Sequence, residues 1–319
     1  MTDSSRRLWI SVALVGVAVV WGGTFIMVKD AVAGYPLYSF LGWRFAIAVV
    51  AFVAIFPKAV RRLSWGTLWV GVLAGALLTA GYVFQTWGLQ STSASKAAFI
   101  TGMVVVITPI LQALVLRRPP RVVTVAGVGL AVAGLWLLSG DTGGGWNIGD
   151  TRVLACAFAY ATHMILLGSR GHDHDPAELT LVQLLTVAIV CGAIALATEP
   201  LSVPSGASLW IALLITGVLA SAVAFWVQTV AQRYISPTKT ALILICEPAF
   251  GGLFGWLAGE ALGARGLAGA ALILGGMITA ELLGAVRTSK GETVVYEPSI
   301  QAMQVPMIEP ADESVSVPE

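Results

Sequence analysis

Charged residues are scarce in this chain of 319 residues, where they make up 11% of the sequence. An ordinary soluble domain carries about 25%, so the chain cannot cover a folded surface with polar groups. Lysine plus arginine number 18 and aspartate plus glutamate number 17, and the net charge of +1 gives no reason to expect a nucleic-acid partner. The lack of charge indicates an integral membrane protein.

Cysteine is also rare, and familiar catalytic motifs are missing. Cys156, Cys191 and Cys246 stand singly inside apolar runs with no C-x-x-C pair, which favours small buried side chains over a disulfide framework. The sequence contains no H-E-x-x-H, no G-x-S-x-G and no Walker loop. It therefore supports neither a metalloprotease, nor a hydrolase, nor an ATP-driven pump. We expect no cofactor and no enzymatic activity.

Most of the sequence consists of long apolar runs. Hydrophobic residues make up 57% of the chain and its mean hydropathy is +0.85. Ten stretches approach the roughly 20 residues that cross a bilayer as a helix, and they are too long for the strands of a membrane barrel. The predicted fold class is an all-α membrane protein with ten transmembrane helices. The predicted spans are 8–28, 37–56, 68–87, 97–116, 122–138, 152–167, 179–197, 209–230, 240–257 and 267–286.

Lysine and arginine are distributed unevenly around these spans. With the N-terminus in the cytoplasm, thirteen fall on the cytoplasmic side and four on the outer side. This bias predicts a multi-pass protein of the cytoplasmic membrane with both termini in the cytoplasm. The first span is too long for the core of a signal peptide, so we expect it to be retained. Residues 288–319 are acidic, contain four prolines and are predicted to form a disordered cytoplasmic tail.

Two stretches of the chain, 84–109 and 226–248, follow a common pattern. In both, a Gln-Thr pair lies near the end of an apolar span, Ser-x-x-Lys-x-Ala opens the next span, and the lysine follows the glutamine by eleven residues. The copies lie five predicted spans apart, an odd number, so the halves of the chain face opposite ways across the membrane. Such inverted repeats place a substrate site near the membrane midplane. The prediction is a first five-helix repeat in 1–140 and an inverted second repeat in 141–287.

Several short motifs occur in a fixed order along the chain. Trp21-Gly22-Gly23-Thr24-Phe25 comes first, Arg44 follows in the second span, the run 92–102 leads to Pro109, and Glu247-Pro248 comes late, before Gly259-Glu260. This order resembles the EamA-type transporters of the drug/metabolite transporter superfamily. The resemblance implies secondary transport of small organic solutes, often export of amino acids or other metabolites. It implies a small-molecule substrate and a lipid bilayer as partners, and it leaves the solute, the coupling ion and the choice between monomer and homodimer open.

Polar and aromatic side chains inside the spans are the candidate substrate contacts, because a charge at the bilayer centre costs about 2.5–3.5 kcal/mol on insertion scales. Glu247 could contact a proton or a cationic substrate, or bond to a neighbouring helix. Arg44 could meet a substrate carboxylate, but a structural role is favoured, with the guanidinium reaching the outer interface or freed carbonyls. For His163 an interhelical hydrogen bond is favoured over a proton relay. The predicted cavity residues are Trp21, Thr24, Arg44, Tyr82, Gln85, Thr101, Tyr160, His163, Gln228 and Glu247.

The aromatic members of this set have two interpretations, since tryptophan and tyrosine either line a solute pocket or form belts at the membrane interfaces. Lys96 and Lys239 occupy matching points of the two copies. Each could attract anions at an entrance, although anchoring a helix at the headgroup level is favoured. His172-Asp173-His174-Asp175 looks like a metal cluster, yet neighbours in a turn rarely converge on one ion, so a solvated turn and no metal are expected.

A carrier is favoured over two other classes of membrane protein. A channel usually needs a ring of polar or charged groups, and no such repeated filter is visible. A solute sensor on the same scaffold is the other alternative, and an intramembrane enzyme lacks any supporting motif. The sequence therefore predicts a secondary transporter of small metabolites.

Overall fold

The computed structural model describes residues 3–60, 63–115, 122–141, 145–200, 202–234, 243–260 and 262–279. The expectations for Lys239, for the Ser-x-x-Lys-x-Ala of the second copy and for the tail 288–319 lie outside these residues. Across the described ranges the chain is almost entirely helical, and no strand occurs in them. The all-α class predicted from the sequence is confirmed.

Twelve α-helices cover most of the described residues. They are α1 Asp3–Gly34, α2 Leu37–Ile55, α3 Trp65–Leu89, α4 Ala94–Gly102, α5 Val104–Val115, α6 Val122–Asp141, α7 Ile148–Arg170, α8 Pro176–Thr198, α9 Ala207–Leu214, α10 Ala224–Tyr234, α11 Cys246–Leu257 and α12 Ala264–Ile278. A π-helical segment, Ile215–Val223, joins α9 to α10, and short 3₁₀ turns follow α2 and α7.

Polar residues set where several helices begin. The Ser93 hydroxyl accepts a hydrogen bond from the Lys96 amide at the start of α4. Asn147 and Asp150 form a reciprocal capping box at the start of α7. Asp175 accepts from two backbone amides at the start of α8, where Pro176 occupies the first turn. Each cap satisfies backbone donors that have no partner inside the helix, so these links define the helix ends.

Seven helical runs within the described ranges are long and apolar enough to cross a membrane. Their length and composition match the roughly 20 apolar residues that a bilayer requires, which is consistent with the predicted multi-pass membrane class. The runs are Trp9–Gly34, Leu37–Ile55, Trp65–Leu89, Ala94–Leu111, Ile148–Arg170, Pro176–Thr198 and Ala207–Ala231. Two shorter apolar helices, Val125–Leu138 and Ala264–Ile278, accompany them.

Three predicted spans are less regular than the sequence indicated. The fourth is divided at Met103, where α4 ends and α5 begins, and the eighth contains the π-helical segment. The ninth span is interrupted shortly before Pro248. Helix α11 starts at Cys246 after a turn at Ile245, so Pro248 lies in the first turn, where its missing N–H costs no helical bond.

The helices pack as close pairs around one large and two small clusters of buried apolar residues. Helix α6 lies along α12, α3 along α7, α2 along α8, and α11 against both α1 and α4. Gly22 marks a close contact between α1 and α11, since a Cβ atom there would lie 2.7 Å from the Phe250 Cβ and 2.8 Å from the Gly251 nitrogen. Small residues permit this approach of two backbones. It brings α11 beside the part of α1 that holds Trp21 and Thr24.

Candidate substrate cavity

A cavity lies between α1, α2, α3, α4, α5, α7, α10 and α11. All ten residues that the sequence singled out line it. The rest of its lining is mainly apolar and includes Phe25, Met164 and Phe225. An apolar pocket with a few converging polar groups is the usual form of a small-molecule site. Whether these residues contact a substrate stays a prediction.

Arg44 of α2 is the cation of the cavity. It is only 2% exposed, so the alternative in which its guanidinium reaches the outer interface is wrong. Its Nε donates to the Ser221 hydroxyl at 3.0 Å, and an Nη donates to the Tyr82 hydroxyl at 3.1 Å. The guanidinium carbon also lies 4.5 Å from the centre of the Tyr82 ring. Neutral groups hold this cation, and no carboxylate of the described residues forms an ion pair with it.

Glu247 is the anion of the cavity, and its surroundings differ from those of Arg44. It lies in the first turn of α11, where the helix dipole favours a negative charge. It is half-buried and lines the cavity. Its carboxylate makes no hydrogen bond or ion pair to the residues that the structure describes, so the expected alternative of a bond to a neighbouring helix is not observed there.

Aromatic rings form one wall of the cavity. The Tyr82 ring meets Phe45, Tyr160 and Phe225 edge-on, with centroid distances of 4.8, 5.8 and 6.2 Å. The Trp21 indole donates to the Ala220 carbonyl at 2.8 Å. Edge-to-face contacts of this kind fix ring orientation. Of the two interpretations open for Trp21, Tyr82 and Tyr160, all three rings line the cavity, and their role in a solute pocket stays a prediction.

Histidine and glutamine complete the polar lining. His163 Nε2 lies 2.7 Å from Gln183 Oε1, which is the interhelical hydrogen bond favoured from the sequence. The Gln85 amide donates to the Thr101 hydroxyl at 3.3 Å. Gln228, the match of Gln85 in the second copy, is buried, and its Oε1 has no hydrogen-bond partner among the described residues. The two glutamines line the same cavity, but within the described part of the chain only Gln85 has a hydrogen-bond partner there.

A second polar region lies at one end of the bundle, which we call the connection face and define by the links 34–37, 89–94, 145–148, 198–200, 202–207, 258–260 and 262–263. Its centre is a buried ion pair in which Lys96 Nζ lies 2.7 Å from Asp150 Oδ2. Asp150 also accepts from the Thr92 hydroxyl and from the Asn147 amide. The expectation that Lys96 anchors a helix at the headgroups is therefore wrong, because its side chain is 1% exposed.

Two glutamates extend this network along the connection face. Glu260 accepts from Lys29 at 2.7 Å, from the Ala94 and Ser95 amides at 2.9 Å each, and from the Ser95 hydroxyl. Burial raises the pKa of the Glu260 carboxyl, but the bonds from Lys29, Ser95 and Ala94 outweigh it and hold the pKa below its ordinary value of 4.5. Glu199 binds the start of α2 in the same manner. Each glutamate caps a helix from the other half of the chain.

The His172–Asp175 run lies at the opposite end of the bundle. His174 Nδ1 is 3.0 Å from the Thr67 hydroxyl, and Asp175 caps α8. The described residues contain no group of three or more His, Cys, Asp and Glu side chains that could hold a metal ion. The run therefore caps and links helices.

Comparison with known proteins identifies the family. The model of the EamA-like transporter family matches twice, over residues 8–140 and 147–280. The chain belongs to the EamA-like transporter family. An uncharacterized transporter of Archaeoglobus fulgidus is 32% identical over 252 residues, which cover 79% of each chain. The uncharacterized transporter YyaM of Bacillus subtilis is 25% identical over 304 residues, covering 90% of this chain and 98% of its own.

A solved crystal structure shares the fold of this EamA-like transporter. Its TM-score is 0.68 at 20% identity, and the match covers 91% of this chain and 100% of the solved one. An identity this low bears on the fold alone. Family membership points to a transporter in the membrane and away from an enzyme, in agreement with the missing catalytic motifs.

Sequence reasoning missed several polar residues of this EamA-like transporter. Ser221 holds Arg44, and Asp150 neutralises Lys96, yet neither was selected. A lone serine in an apolar span carries no distinguishing signal. Asp150 could have been singled out from the sequence, since Asn147-x-x-Asp150 before an apolar run is the pattern of a capping box. That pattern predicts a helix start and gives no hint of an ion pair.

Proposed function

We propose that this protein is a secondary transporter that exports small organic metabolites, such as amino acids, across the cytoplasmic membrane by alternating access. The observation that carries the proposal is a cavity lined from both matched halves of the chain. Trp21 and Arg44 come from residues 8–140, and Gln228 and Glu247 come from residues 147–280. A site shared between two repeats opens to alternate sides when the repeats rock against each other.

The proposed architecture is two inverted five-helix repeats, 1–140 and 141–287, with ten membrane spans. The double family match supports two repeats of similar length. Helix breaks at Met103 and Ile245, near matching points of the two copies, also support it. Interrupted helices that line a midplane cavity are typical of carriers built from inverted repeats.

The proposed orientation places both termini in the cytoplasm, because thirteen lysines and arginines then face inward and four face outward. The connection face is then the outer side of the membrane. For this exporter it is the side on which solute is released.

Counterflow in liposomes tests transport directly. Purified protein is reconstituted with an unlabelled amino acid or organic acid inside, and uptake of the same labelled compound is followed across a panel. A carrier shows saturable, transient accumulation of label with at least one compound. Flux without saturation or counterflow would favour a channel, and binding without any flux would favour a sensor.

Cysteine accessibility tests alternating access. The three native cysteines are first replaced by alanine, and single cysteines are then placed at Gln85 and Gln228. We expect addition of the solute found by counterflow to raise labelling by a membrane-impermeant maleimide at one position and lower it at the other. Unchanged labelling at both positions would contradict the proposed motion.

Proton coupling through Glu247 is part of the proposal, since its carboxylate faces the cavity without a protein partner among the described residues. Glu247→Gln keeps the shape of the side chain and removes its titration. In liposomes with an imposed pH gradient, we expect the gradient to accelerate wild-type transport and to leave the variant unaffected. An equal response of both proteins would exclude this role.

A further inference from the structure

Arg44 is an unusual cation because nothing in the described structure neutralises it. Two other basic side chains inside or beside the bundle, Lys29 and Lys96, form ion pairs with Glu260 and Asp150. Arg44 is 2% exposed and bonds only to hydroxyl groups. A buried charge is normally paired with an opposite charge. The guanidinium therefore has the capacity to bind an anion that the described protein does not provide.

The donors of Arg44 leave room for such an anion. A guanidinium has five N–H donors in a planar fork. Two are engaged, one by Ser221 and one by Tyr82, so three have no acceptor among the described residues. Arg44 lines the cavity, and Glu247 lines it too without forming an ion pair to it. The cavity thus presents one free group of each sign to a solute.

The π-helical segment holds the guanidinium in place. The Ser221 hydroxyl donates to the Thr216 carbonyl at 2.9 Å, five residues earlier, which leaves its oxygen lone pairs to accept from Arg44. Gly217 lets this segment touch α2 at the same residue, since a Cβ there would lie 2.7 Å from the Arg44 carbonyl oxygen. π-helical turns inside α-helices frequently occur at functional sites.

We propose that Arg44, oriented by Ser221 and Tyr82, is an anion subsite that takes the carboxylate of the transported solute. A carboxylate matches the planar fork of a guanidinium and accepts two parallel hydrogen bonds from it. The aromatic wall beside the fork provides an apolar surface for the rest of the solute. This inference rests on the proposed function, because it names the chemical group by which the transporter recognises its cargo.

Four phenyl compounds separate the carboxylate from the other groups of a solute. L-Phenylalanine carries a carboxylate and an ammonium group, 3-phenylpropionate the carboxylate alone, L-phenylalaninamide the ammonium group alone, and 3-phenylpropionamide neither. Each is titrated into the purified full chain in detergent, and the dissociation constant is taken from the shift of the unfolding temperature and from calorimetry. We expect both carboxylates to bind at least about tenfold more tightly than their amides, as a hydrogen bond to a charged group allows.

Substitutions then assign the preference to the subsite. Arg44→Lys retains the positive charge but loses the planar fork of donors. We therefore expect it to abolish most of the preference for carboxylates, measured as the ratio of carboxylate to amide affinity. Ser221→Ala removes the hydroxyl that orients the guanidinium, and Gly217→Ala pushes the π-helical segment away from α2 at Arg44. Each should lower that ratio by about threefold to tenfold. Amide binding should stay constant in all three variants. Gly16→Ala is the matched control, because a Cβ at Gly16 meets no atom within 4 Å.

The result that overturns the inference is a wild-type protein that binds carboxylates and amides equally or binds none of the four compounds. An unchanged ratio in Ser221→Ala and Arg44→Lys overturns it as well, and Ser221→Ala provides this test even where Arg44→Lys fails to fold. Liposome counterflow with the same compounds separates the two proposals. Flux without a preference for carboxylates would contradict the anion subsite and support transport. Carboxylate binding without flux would support the subsite and contradict transport.

Discussion

The connection face and the cavity both contain carboxylates, but in the part of the chain that the structure describes the protein satisfies the carboxylate with hydrogen bonds only on the connection face. Asp150, on the connection face, is fully buried and accepts hydrogen bonds from Thr92, Lys96 and Asn147. Glu247, in the cavity, is half-buried and has no hydrogen-bond or ion-pair partner among the described residues. Both side chains end in a carboxylate, so the difference in hydrogen bonding comes from the residues around them.

The same contrast extends to other residues. Glu199 and Glu260 each accept three or more bonds, mostly from the first turn of a helix in the other half of the chain. In the cavity, Arg44 keeps unused donors and Gln228 keeps an unused acceptor. Satisfied groups hold a fold together, whereas unsatisfied groups inside it reduce stability and are available to a ligand. We therefore expect substitutions on the connection face to act on stability and those in the cavity to act on binding.

Breaking the Lys96–Asp150 pair should have the largest effect on stability. Asp150→Asn leaves the ammonium group of Lys96 buried without a counter-charge, and the expected loss in the free energy of unfolding is about 3–5 kcal/mol. Glu247→Gln is the matched cavity variant, with an expected change within about 0.5 kcal/mol. Both are measured by reversible denaturant unfolding in mixed micelles.

A double variant sharpens this test. Lys96→Met combined with Asp150→Leu removes both charges and fills a similar volume, so it should recover most of the stability lost in Asp150→Asn. Equal losses in Asp150→Asn and Glu247→Gln would show that the two regions do not differ in the way proposed.

The Glu260 cap should have a smaller effect that depends on pH. Its depressed pKa means that the folded state favours the ionised carboxylate, so its bonds stabilise the protein above the ordinary value of 4.5 and are lost as the pH falls through the folded pKa. Glu260→Gln should lower the free energy of unfolding by about 1–2 kcal/mol at neutral pH. The measurement is the difference in unfolding temperature between wild type and variant from about pH 7 to about pH 3.

The two proteins should converge at the acid end of this range. Asp30→Asn, an exposed carboxylate at the same end of α1 as Lys29, serves as the control and should show a difference that is small at every pH. A constant gap between Glu260→Gln and wild type across the titration would mean that the cap does not act through ionisation.

The sequence located the residues of the cavity more accurately than the contacts on the connection face. A polar or aromatic side chain stands out in an apolar span, which is how Arg44 and Gln228 were selected. Lys96 misled the prediction because a lysine near a helix end is usually at the membrane surface. Its burial depends on Asp150, which lies 54 residues later and approaches only in the folded protein.

The irregular helices were beyond sequence reasoning for a similar reason. The break at Met103 follows Gly102, a weak helix former, but many glycines elsewhere in the chain lie within unbroken helices. The π-helical segment contains ordinary apolar residues plus Ser221, and its extra residue is stabilised by bonds from α1 and α2. Tertiary contacts select these distortions, so local propensity cannot reveal them.

Two buried glutamines provide the subtlest test of the comparison. Both polar atoms of the Gln183 side chain form hydrogen bonds. Its Oε1 is bonded to His163 Nε2, and its Nε2 donates to the Leu179 carbonyl at 3.1 Å. Gln228 is equally buried, but its Oε1 has no partner among the described residues. Methionine has nearly the same length and shape without polar atoms. Gln183→Met should therefore cost about 1–3 kcal/mol, because it strands the buried His163 nitrogen.

Gln228→Met should leave the free energy of unfolding unchanged or raise it by up to about 1 kcal/mol, since it removes an acceptor that was already unsatisfied. If the unused acceptor serves a solute, the same substitution weakens binding of the counterflow substrate while the protein stays at least as stable. Denaturant unfolding and substrate titration on the same preparation measure both quantities. A loss of stability as large as that of Gln183→Met would show that Gln228 is a structural residue, and the distinction between the cavity and the rest of the bundle would fail at this position.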